Sequence, residues 1–327
     1  MKQKRVLVIF FEGLKIFCLN IHKFLLYMAF PVLGQLLGLY MVFGITYWFS
    51  QNYQDLIVKY PALSEMSTML ICTIIAVIPG LVIFTKAFWD YLVAYVALNS
   101  MTEGYLNTGK VYDFKSHNQV ALKKTFSFIS LWFLFGIFTF IAVIPIFWVL
   151  GLIFFIYFIL IFQVFTFENG LSPVGYFRRS FELVKGQFAR TLILATILTV
   201  FCFMLLASGV SVVFDYLNLT EKLSKVFELW AYTLPIDGLE RFGITPALIG
   251  EQIVKDIVFM LAAGFTLPLR SICWTLWYNN FAGEREEIPQ SSKKKTSKKK
   301  TAKTFKIEKR EIDPEIIRRA RLEDDEY

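Results

Sequence analysis

The sequence predicts an all-α fold, a bundle of six transmembrane helices with cytoplasmic amphipathic helices and a disordered, basic C-terminal tail. Three observations predict it. Of the 327 residues, 56% are apolar and only 18% are charged, whereas soluble domains average about 45–50% and about 25%. No formal charge occurs from Thr125 to Phe167. The net charge of +8 is concentrated in residues 293–327, which hold thirteen Lys or Arg residues against eight Asp or Glu.

Residues 1–23 are expected to form a cytoplasmic helix that lies in the membrane interface. Their apolar side chains repeat at helical spacing, and charged or polar ones occupy the opposite face. The apolar set is Val6, Ile9, Phe10, Leu14, Phe17 and Ile21, and the polar set is Arg5, Glu12, Lys15 and His22.

Six segments of residues 24–280 are apolar and long enough to cross a bilayer, which takes about 20 residues. They are about 24–49, 69–98, 125–146, 150–167, 191–213 and 253–278. The charge-free run would measure about 64 Å as one helix, twice the bilayer core. It must therefore fold into a hairpin, and Pro145 and Gly151 bracket the expected turn.

Connections rich in basic residues alternate along the chain with connections poor in them, which predicts the orientation of the helices in the membrane. The N-terminus, loop 99–124, loop 168–190 and the tail are basic, whereas loop 50–68 has Lys59 alone and loop 214–252 is acidic on balance. Both termini are therefore expected on the cytoplasmic side of a cytoplasmic membrane.

Residues 172–190 predict a second cytoplasmic amphipathic helix, with Ser172 as N-cap and Pro173 at its first position. Its expected apolar face is Val174, Phe177, Phe181, Val184 and Phe188. Arg178, Arg179 and Lys185 are expected to contact anionic lipid headgroups. A helix that only anchors the bundle at its inner surface is the alternative.

Residues 281–327 form the predicted cytoplasmic tail, a disordered Lys-rich part followed by a short helix at 313–322. Its lysines are further candidates for headgroup contacts, namely Lys293, Lys294, Lys295, Lys298, Lys299 and Lys300. The tail either solubilises the chain or tethers a helix that binds a cytosolic protein. Nucleic acid is disfavoured, because Phe305 is the one aromatic residue among these basic residues.

Few ionisable residues fall within the predicted spans. Lys86 and Asp90 are four residues apart, so they share a helix face and form a possible intramembrane pair. Arg270 follows Pro268 by two residues and is either a phosphate-binding or a snorkelling side chain. The absence of ionisable residues from the other spans disfavours ion pumping.

Gly34 and Gly38 form a G-x-x-x-G pattern that lets two helices approach closely. The partner helix is either within the same bundle or in a second copy, so a homo-oligomer stays possible.

Motifs for catalysis, cofactors and metals are missing from the sequence. It has no P-loop, G-x-S-x-G, H-E-x-x-H or G-x-G-x-x-G pattern. The four cysteines and two histidines are scattered, so we expect neither a metal site nor a cofactor.

Two segments resemble a bacterial membrane module. The first is the stretch 167–173 followed by Arg179-Ser180-x-x-Leu183-x-Lys185-Gly186. The second is 275–280 together with the charged residues that follow it. They are similar to the membrane domain attached to some glycerophosphodiester phosphodiesterases and to related uncharacterised six-span families, over about residues 24–287. The resemblance implies a six-helix fold without the phosphodiesterase barrel, so it implies no enzymatic activity. Arg270 and the basic tail depart from its pattern.

From these features we expect a membrane scaffold or regulator without catalytic activity of its own, acting through lipid contacts and its cytoplasmic face. A transporter or flippase-like component for a lipid or another amphiphile is the alternative. A polar cavity reaching the middle of the membrane would favour transport, and a close-packed apolar bundle would favour the scaffold.

Overall fold

The computed structural model describes residues 4–111, 114–232, 241 and 243–286. These residues are helical with no strand element among them, and six helices or helix pairs are long and apolar enough to cross a membrane. The candidate spans are Ile21–Gln51, Met66–Thr108, Thr125–Val143, Pro145–Phe167, Phe188–Tyr216 and Pro246–Ala282. The predicted tail beyond residue 286, with its lysines and the helix at 313–322, lies outside the described residues.

The α-helices are numbered in chain order, α1 to α14. Their bounds are Val6–Leu19, Ile21–Gln51, Tyr53–Lys59, Met66–Thr108, Phe114–Leu122, Thr125–Val143, Trp148–Phe158, Ile161–Phe167, Pro173–Val184, Phe188–Thr199, Ser208–Tyr216, Leu219–Ala231, Pro246–Phe265 and Leu267–Glu286.

The chain forms two compact units, each assembled from separate stretches of sequence. Unit 1 contains residues up to 24, 93–198 and those from 268 onward, and unit 2 contains 25–92 and 199–267.

The second membrane helix, α4, is longer than the predicted span 69–98. It continues to Thr108 because residues beyond 98, including Asn99 and Thr102, are buried and helical. It ends at Gly109, whose φ of 76° is the left-handed conformation that commonly stops a helix.

The hairpin between the third and fourth spans turns within the stretch that Pro145 and Gly151 bracket, at its Pro145 end. A 3-10 turn covers Pro145–Phe147, and Gly151 lies within α7. A Cβ on Gly151 would lie 2.7 Å from the Cβ of Ala142. Gly151 therefore permits close packing of the two arms and does not form the turn.

The fifth and sixth spans are interrupted in ways that the sequence analysis did not predict. Residues Val200–Ala207 form a π-helical segment between α10 and α11. The sixth span breaks at Thr266, where α13 ends and α14 begins, just before Pro268. The acidic loop 214–252 also contains a helix, α12.

In unit 1, the N-terminal helix α1 packs against α14. Ile9, Phe10, Gly13 and Ile16 are its buried residues. A Cβ on Gly13 would clash with the Sγ of Cys273, so this glycine lets the two helices touch. One face of α1 is thus covered by protein.

In unit 2, Gly34 and Gly38 pack α2 against α4 of the same chain. A Cβ on Gly34 would lie 2.8 Å from the Cβ of Ala87. A Cβ on Gly38 would lie 2.6 Å from the backbone N of Phe84 and 2.8 Å from the carbonyl O of Gly80. Their helix-packing face is therefore occupied within the chain.

Candidate functional site

Unit 1 contains a cluster of uncharged polar side chains, here called the Asn99 cluster, formed by Asn99, Gln163, Thr166, Ser271 and Thr275. Asn99 Oδ1 accepts hydrogen bonds from Ser271 Oγ at 2.6 Å, Gln163 Nε2 at 3.1 Å and Thr275 Oγ1 at 3.3 Å. Asn99 Nδ2 donates to Thr166 Oγ1 at 3.2 Å. All five residues are buried, so the cluster joins α4, α8 and α14 through polar contacts.

The Asn99 cluster is almost fully hydrogen-bonded. Among the described residues, Gln163 Oε1 is a cluster atom that is buried without a hydrogen-bond partner. Buried polar groups that satisfy one another fix a unique packing of helices and are not free to exchange with a substrate. The cluster therefore acts as a structural join between three helices.

A buried ion pair joins the end of α8 to α9. Arg179 Nε donates to both carboxylate oxygens of Glu168, at 2.9 and 3.0 Å. The side chain of Arg179 is 18% exposed and that of Glu168 is 4% exposed. Tyr278 donates its hydroxyl to Glu168 Oε1 at 3.0 Å, which brings α14 into the contact. We call Glu168, Arg179 and Tyr278 the Glu168 triad.

Two further side chains interact with the region around the Glu168 triad. The pKa of the Tyr176 phenol is raised by burial and, further, by the Glu168 carboxylate. Lys124 Nζ donates to the carbonyl oxygens of Phe165 and Glu168, both at 3.2 Å. Because carbonyls at the end of a helix lack partners within it, Lys124 closes the C-terminal end of α8.

The residues expected to contact lipid headgroups separate into two groups. Arg178 has an 83% exposed side chain, held only by an ion pair with Glu182 at 3.2 Å, and Lys185 is exposed. Arg179 differs from the expectation, because Glu168 binds its guanidinium inside unit 1. Arg178 and Lys185 therefore remain as candidates for headgroup contact on α9.

The orientation of α9 also differs from the prediction. Its buried residues are Tyr176, Ser180, Leu183 and Val184. Two phenylalanines of the expected apolar face pack on aromatic rings of α7, with centroids 5.1 Å apart for Phe177 and Phe158 and 4.5 Å apart for Phe181 and Tyr157. The helix is therefore packed on other helices of unit 1 along two sides.

Four of the five residues in the Arg179–Gly186 motif of the resemblance have packing or turn roles. Arg179 belongs to the Glu168 triad, and Ser180 Oγ donates to the carbonyl of Tyr157 at 2.8 Å. Leu183 is buried, and Gly186 has a φ of 87°. Its remaining member, Lys185, is exposed.

The two intramembrane candidates lie in different units. In unit 2, Lys86 and Asp90 form the expected ion pair on α4, with both side chains substantially exposed. In unit 1, Arg270 is partly buried on α14, four residues beyond the break at Thr266. None of these three residues is among those that define the Asn99 cluster or the Glu168 triad.

Unit 2 contains an apolar cavity of about 1380 Å³, here called the α2–α13 groove. One side is formed by α2 from Leu25 to Gln51 and by the adjoining Asn52, and the other sides come from the π-helical segment with α11, from α12 and from α13. Its lining is apolar and aromatic apart from Gln51 and Asn52 and the hydroxyls and indoles of its aromatic residues. The volume exceeds the roughly 300–1,000 Å³ of a typical small-molecule site.

Sequence reasoning missed Asn99, Gln163 and Glu168. A search for charged residues within the spans passes over Asn99 and Gln163, although an uncharged amide at membrane depth also needs partners. Glu168 had a signal, since it is the residue that ends the charge-free run. Its partners could not be read from sequence, because Tyr278 is 110 residues away.

In the part of the chain that the structure describes, no three His, Cys, Asp or Glu side chains form a group that could hold a metal ion.

The six apolar, membrane-length helices define a multi-pass membrane protein with an all-helical fold. Comparison with protein-family models, with curated proteins and with solved structures found no match.

Proposed function

We propose that this membrane protein is a scaffold or regulator, without catalytic activity of its own, that acts through lipid contacts and its cytoplasmic face. The observation that carries the proposal is that α1 and α9, the two expected cytoplasmic helices, are built into unit 1. A surface held in one arrangement suits the presentation of charge to lipids and to protein partners.

The contacts of α1 support this proposal at the start of the chain. The backbone N–H of Lys4 donates to Asn280 Oδ1 on α14 at 2.9 Å. Arg190, at the start of α10, donates to the carbonyl of Lys4 at 3.0 Å and lies over the Trp277 ring, 5.7 Å from its centroid. The chain entering α1 is thus held by α10 and α14.

The contacts of α9 also support the scaffold proposal. The Glu168 triad fixes this helix through Arg179, while Arg178 and Lys185 remain on its exposed surface. Basic residues close to an anionic membrane surface contribute about 1 kcal/mol each to its binding. The basic tail would add to this attraction and offer a short helix to a cytosolic protein.

The proposal includes the location. We place the protein in a bacterial cytoplasmic membrane with both termini in the cytoplasm, supported by the alternation of basic loops. We also propose that it is related to the phosphodiesterase-associated membrane module, because the shared motif residues form packing contacts that such a module would need.

The test replaces the exposed basic residues of α9. The double variant Arg178→Glu/Lys185→Glu should co-purify with less anionic phospholipid than the unchanged protein, as measured by lipid mass spectrometry in mild detergent. The control Lys222→Glu/Lys225→Glu makes the same charge change on α12, where both lysines are also exposed, and should leave the anionic lipid content unchanged. Equal lipid content in all three proteins would count against the proposal.

Deleting residues 290–327 tests the role of the tail. If the tail carries the regulation, its loss should remove the cellular effect and leave insertion and thermal stability unchanged. A shortened protein with its full cellular effect would favour the transporter alternative.

The α2–α13 groove favours a second candidate function, a transporter or flippase-like component for a lipid. Its apolar lining fits acyl chains better than hydrated headgroups, so it supports lipid transport more than the transport of polar solutes. Purified protein in vesicles should then accelerate the exchange of a fluorescent phospholipid between leaflets. An exchange rate equal to that of protein-free vesicles would exclude this activity.

A further inference from the structure

The α2–α13 groove follows α2 for most of the thickness of a membrane. Its lining begins at Leu25 and ends at Asn52, which corresponds to about 40 Å of helix. A bilayer with its headgroups measures about 40–45 Å. The groove is therefore parallel to the direction in which lipid chains extend.

The two ends of the groove differ in polarity. At one end of α2 the lining residues are Tyr47, Trp48, Gln51 and Asn52, whose amphipathic side chains are typical of the membrane–water interface. Leu25 lies at the other end of the α2 lining, and Leu261 and Phe265 of α13 also line the groove.

The apolar parts of α2 and α13 lie side by side. A Cβ on Gly264 would lie 2.9 Å from the Cγ2 of Val32, so this stretch of α13 adjoins the first half of α2. The groove thus has an interfacial end at Gln51 and Asn52 and an apolar stretch where α13 adjoins the first half of α2.

Close contacts hold the interfacial end open. Trp230 of α12 donates its indole N–H to Thr46 Oγ1 at 3.1 Å and meets the Phe43 ring edge to face, with centroids 4.7 Å apart. On its other side α12 packs on α13, where a Cβ on Gly250 would lie 2.6 Å from the carbonyl O of Ser224. Because these contacts are tight, α12 cannot move inward to fill the groove.

The wall opposite α2 includes a π-helical segment. Leu206 of this segment and Val210 and Phe214 of α11 line the groove. A π-helical turn is a rare geometry that occurs frequently at functional sites. Ser208 Oγ donates to the carbonyl of Phe203 at 3.1 Å, which helps to satisfy the widened backbone.

We propose that the α2–α13 groove binds an acyl chain of a membrane phospholipid, with its headgroup at Gln51 and Asn52 and its methyl end near Leu261 and Phe265. An apolar cavity excludes water and accepts apolar ligands. Leaving it empty would forfeit the dispersion contacts of its lining. The binding site does not depend on the scaffold role proposed above, which rests on unit 1.

Shape, more than hydrophobicity, should select the bound chain. A lipid chain is already in an apolar solvent within the bilayer, so entering the groove gains packing and not the hydrophobic effect. Occupancy should therefore depend on chain length and on the space left at the middle of the groove.

Gly44 offers a way to block the groove without disturbing the helices. It lines the groove, and an added Cβ would meet no atom within 4 Å. Gly136 on α6 is equally open but lies in unit 1, outside the groove lining. Gly44→Phe is the test variant, Gly136→Phe its matched control, and Gly44→Ala a control that hardly reduces the volume.

The experiment uses the full chain in nanodiscs that contain phosphatidylglycerol with a photoactivatable diazirine in one chain. A diazirine at the terminal carbon should label peptides around Leu261 and Phe265, and one near the glycerol should label peptides around Trp48 and Asn52. Gly44→Phe should reduce both labels several-fold, while Gly136→Phe and Gly44→Ala should match the unchanged protein. Thermal melting of all four proteins verifies that each is folded.

Three outcomes would overturn the proposal. Labelling in the groove no stronger than on the exposed face of α6, at Phe133 and Phe140, would mean contact with bulk lipid only. Undiminished labelling of folded Gly44→Phe would place the lipid elsewhere. Cross-links between two copies through the groove would identify a second copy of this chain as its occupant.

Discussion

Arg179 donates its Nε–H to both carboxylate oxygens of Glu168, at 2.9 and 3.0 Å, from inside unit 1. The pair lies where α8 ends and α9 begins, and Tyr278 adds a third hydrogen bond from α14. Three helices therefore depend on one carboxylate. The desolvation of each charge is offset only while its partner is present.

Removing one partner of this pair should destabilise the protein strongly. Arg179→Met leaves the Glu168 carboxylate buried without its cation, so the free energy of unfolding should fall by about 3–5 kcal/mol. Unfolding in mixed micelles by added denaturing detergent measures this loss. The control Arg178→Met removes an exposed pair with Glu182 and should cost at most about 1 kcal/mol. Equal effects of the two variants would contradict a buried role for Arg179.

The Asn99 cluster should contribute through hydrogen bonds between helices. Asn99→Leu leaves donors of Gln163 and Ser271 buried without their acceptor, and should cost about 1–3 kcal/mol. The same unfolding measurement applies.

Two threonines give a matched pair for the same cluster. Thr275→Val removes a bond between helices, while Thr139→Val removes only a bond to the carbonyl of Phe135 in its own helix. We expect Thr275→Val to lower stability more than Thr139→Val, and the reverse order would show that the cluster does not join the helices energetically.

Gly38 should not tolerate a side chain. In Gly38→Ala the new Cβ would meet backbone atoms of Phe84 and Gly80, which cannot rotate away. Overpacking of this kind costs about 1–3 kcal/mol. Gly136→Ala has open space at its Cβ and should instead gain about 0.5–1 kcal/mol from the lower flexibility of the unfolded chain. Thermal melting of the two variants should therefore move in opposite directions.

The orientation can be tested by labelling introduced cysteines in intact cells with an impermeant reagent. Cys18 is exposed and Cys72 is partly exposed, so both are first replaced by serine. Cys202 and Cys273 are buried and can remain. Ser64→Cys is exposed on the connection before α4 and should react. Arg178→Cys is exposed on α9 and should react only after the cells are opened. Labelling of Arg178→Cys in sealed cells would reverse the proposed topology.

The all-helical fold was predictable because hydropathy alone identifies segments that can cross a membrane. The six-helix expectation is confirmed by the candidate spans. The ends of helices were less predictable, since Gly109 and Thr266 stop helices through local backbone geometry that hydropathy does not register. The helix α12 was read as part of a loop because its four charged residues exclude it as a membrane span.

The buried contacts were not predictable, because they join residues far apart in sequence. Periodicity on α9 identified Phe177 and Phe181 as apolar, but it could not distinguish a lipid neighbour from the aromatic rings of α7. It also gave no reason to separate Arg179 from Arg178. That distinction requires the position of Glu168, which only the folded chain provides.

The composition of unit 1 from three separate stretches of sequence has a consequence for biosynthesis. The hydroxyls of Ser271 and Tyr278, both on α14, reach acceptors 172 and 110 residues earlier in the chain. A ribosome has therefore already delivered Asn99 and Glu168 to the membrane long before their partners are translated. During that interval the Asn99 amide lacks its bonds to α14, and the Glu168 carboxylate has Arg179 but not Tyr278. The packing of unit 1 is therefore completed only when the last helix has been synthesised.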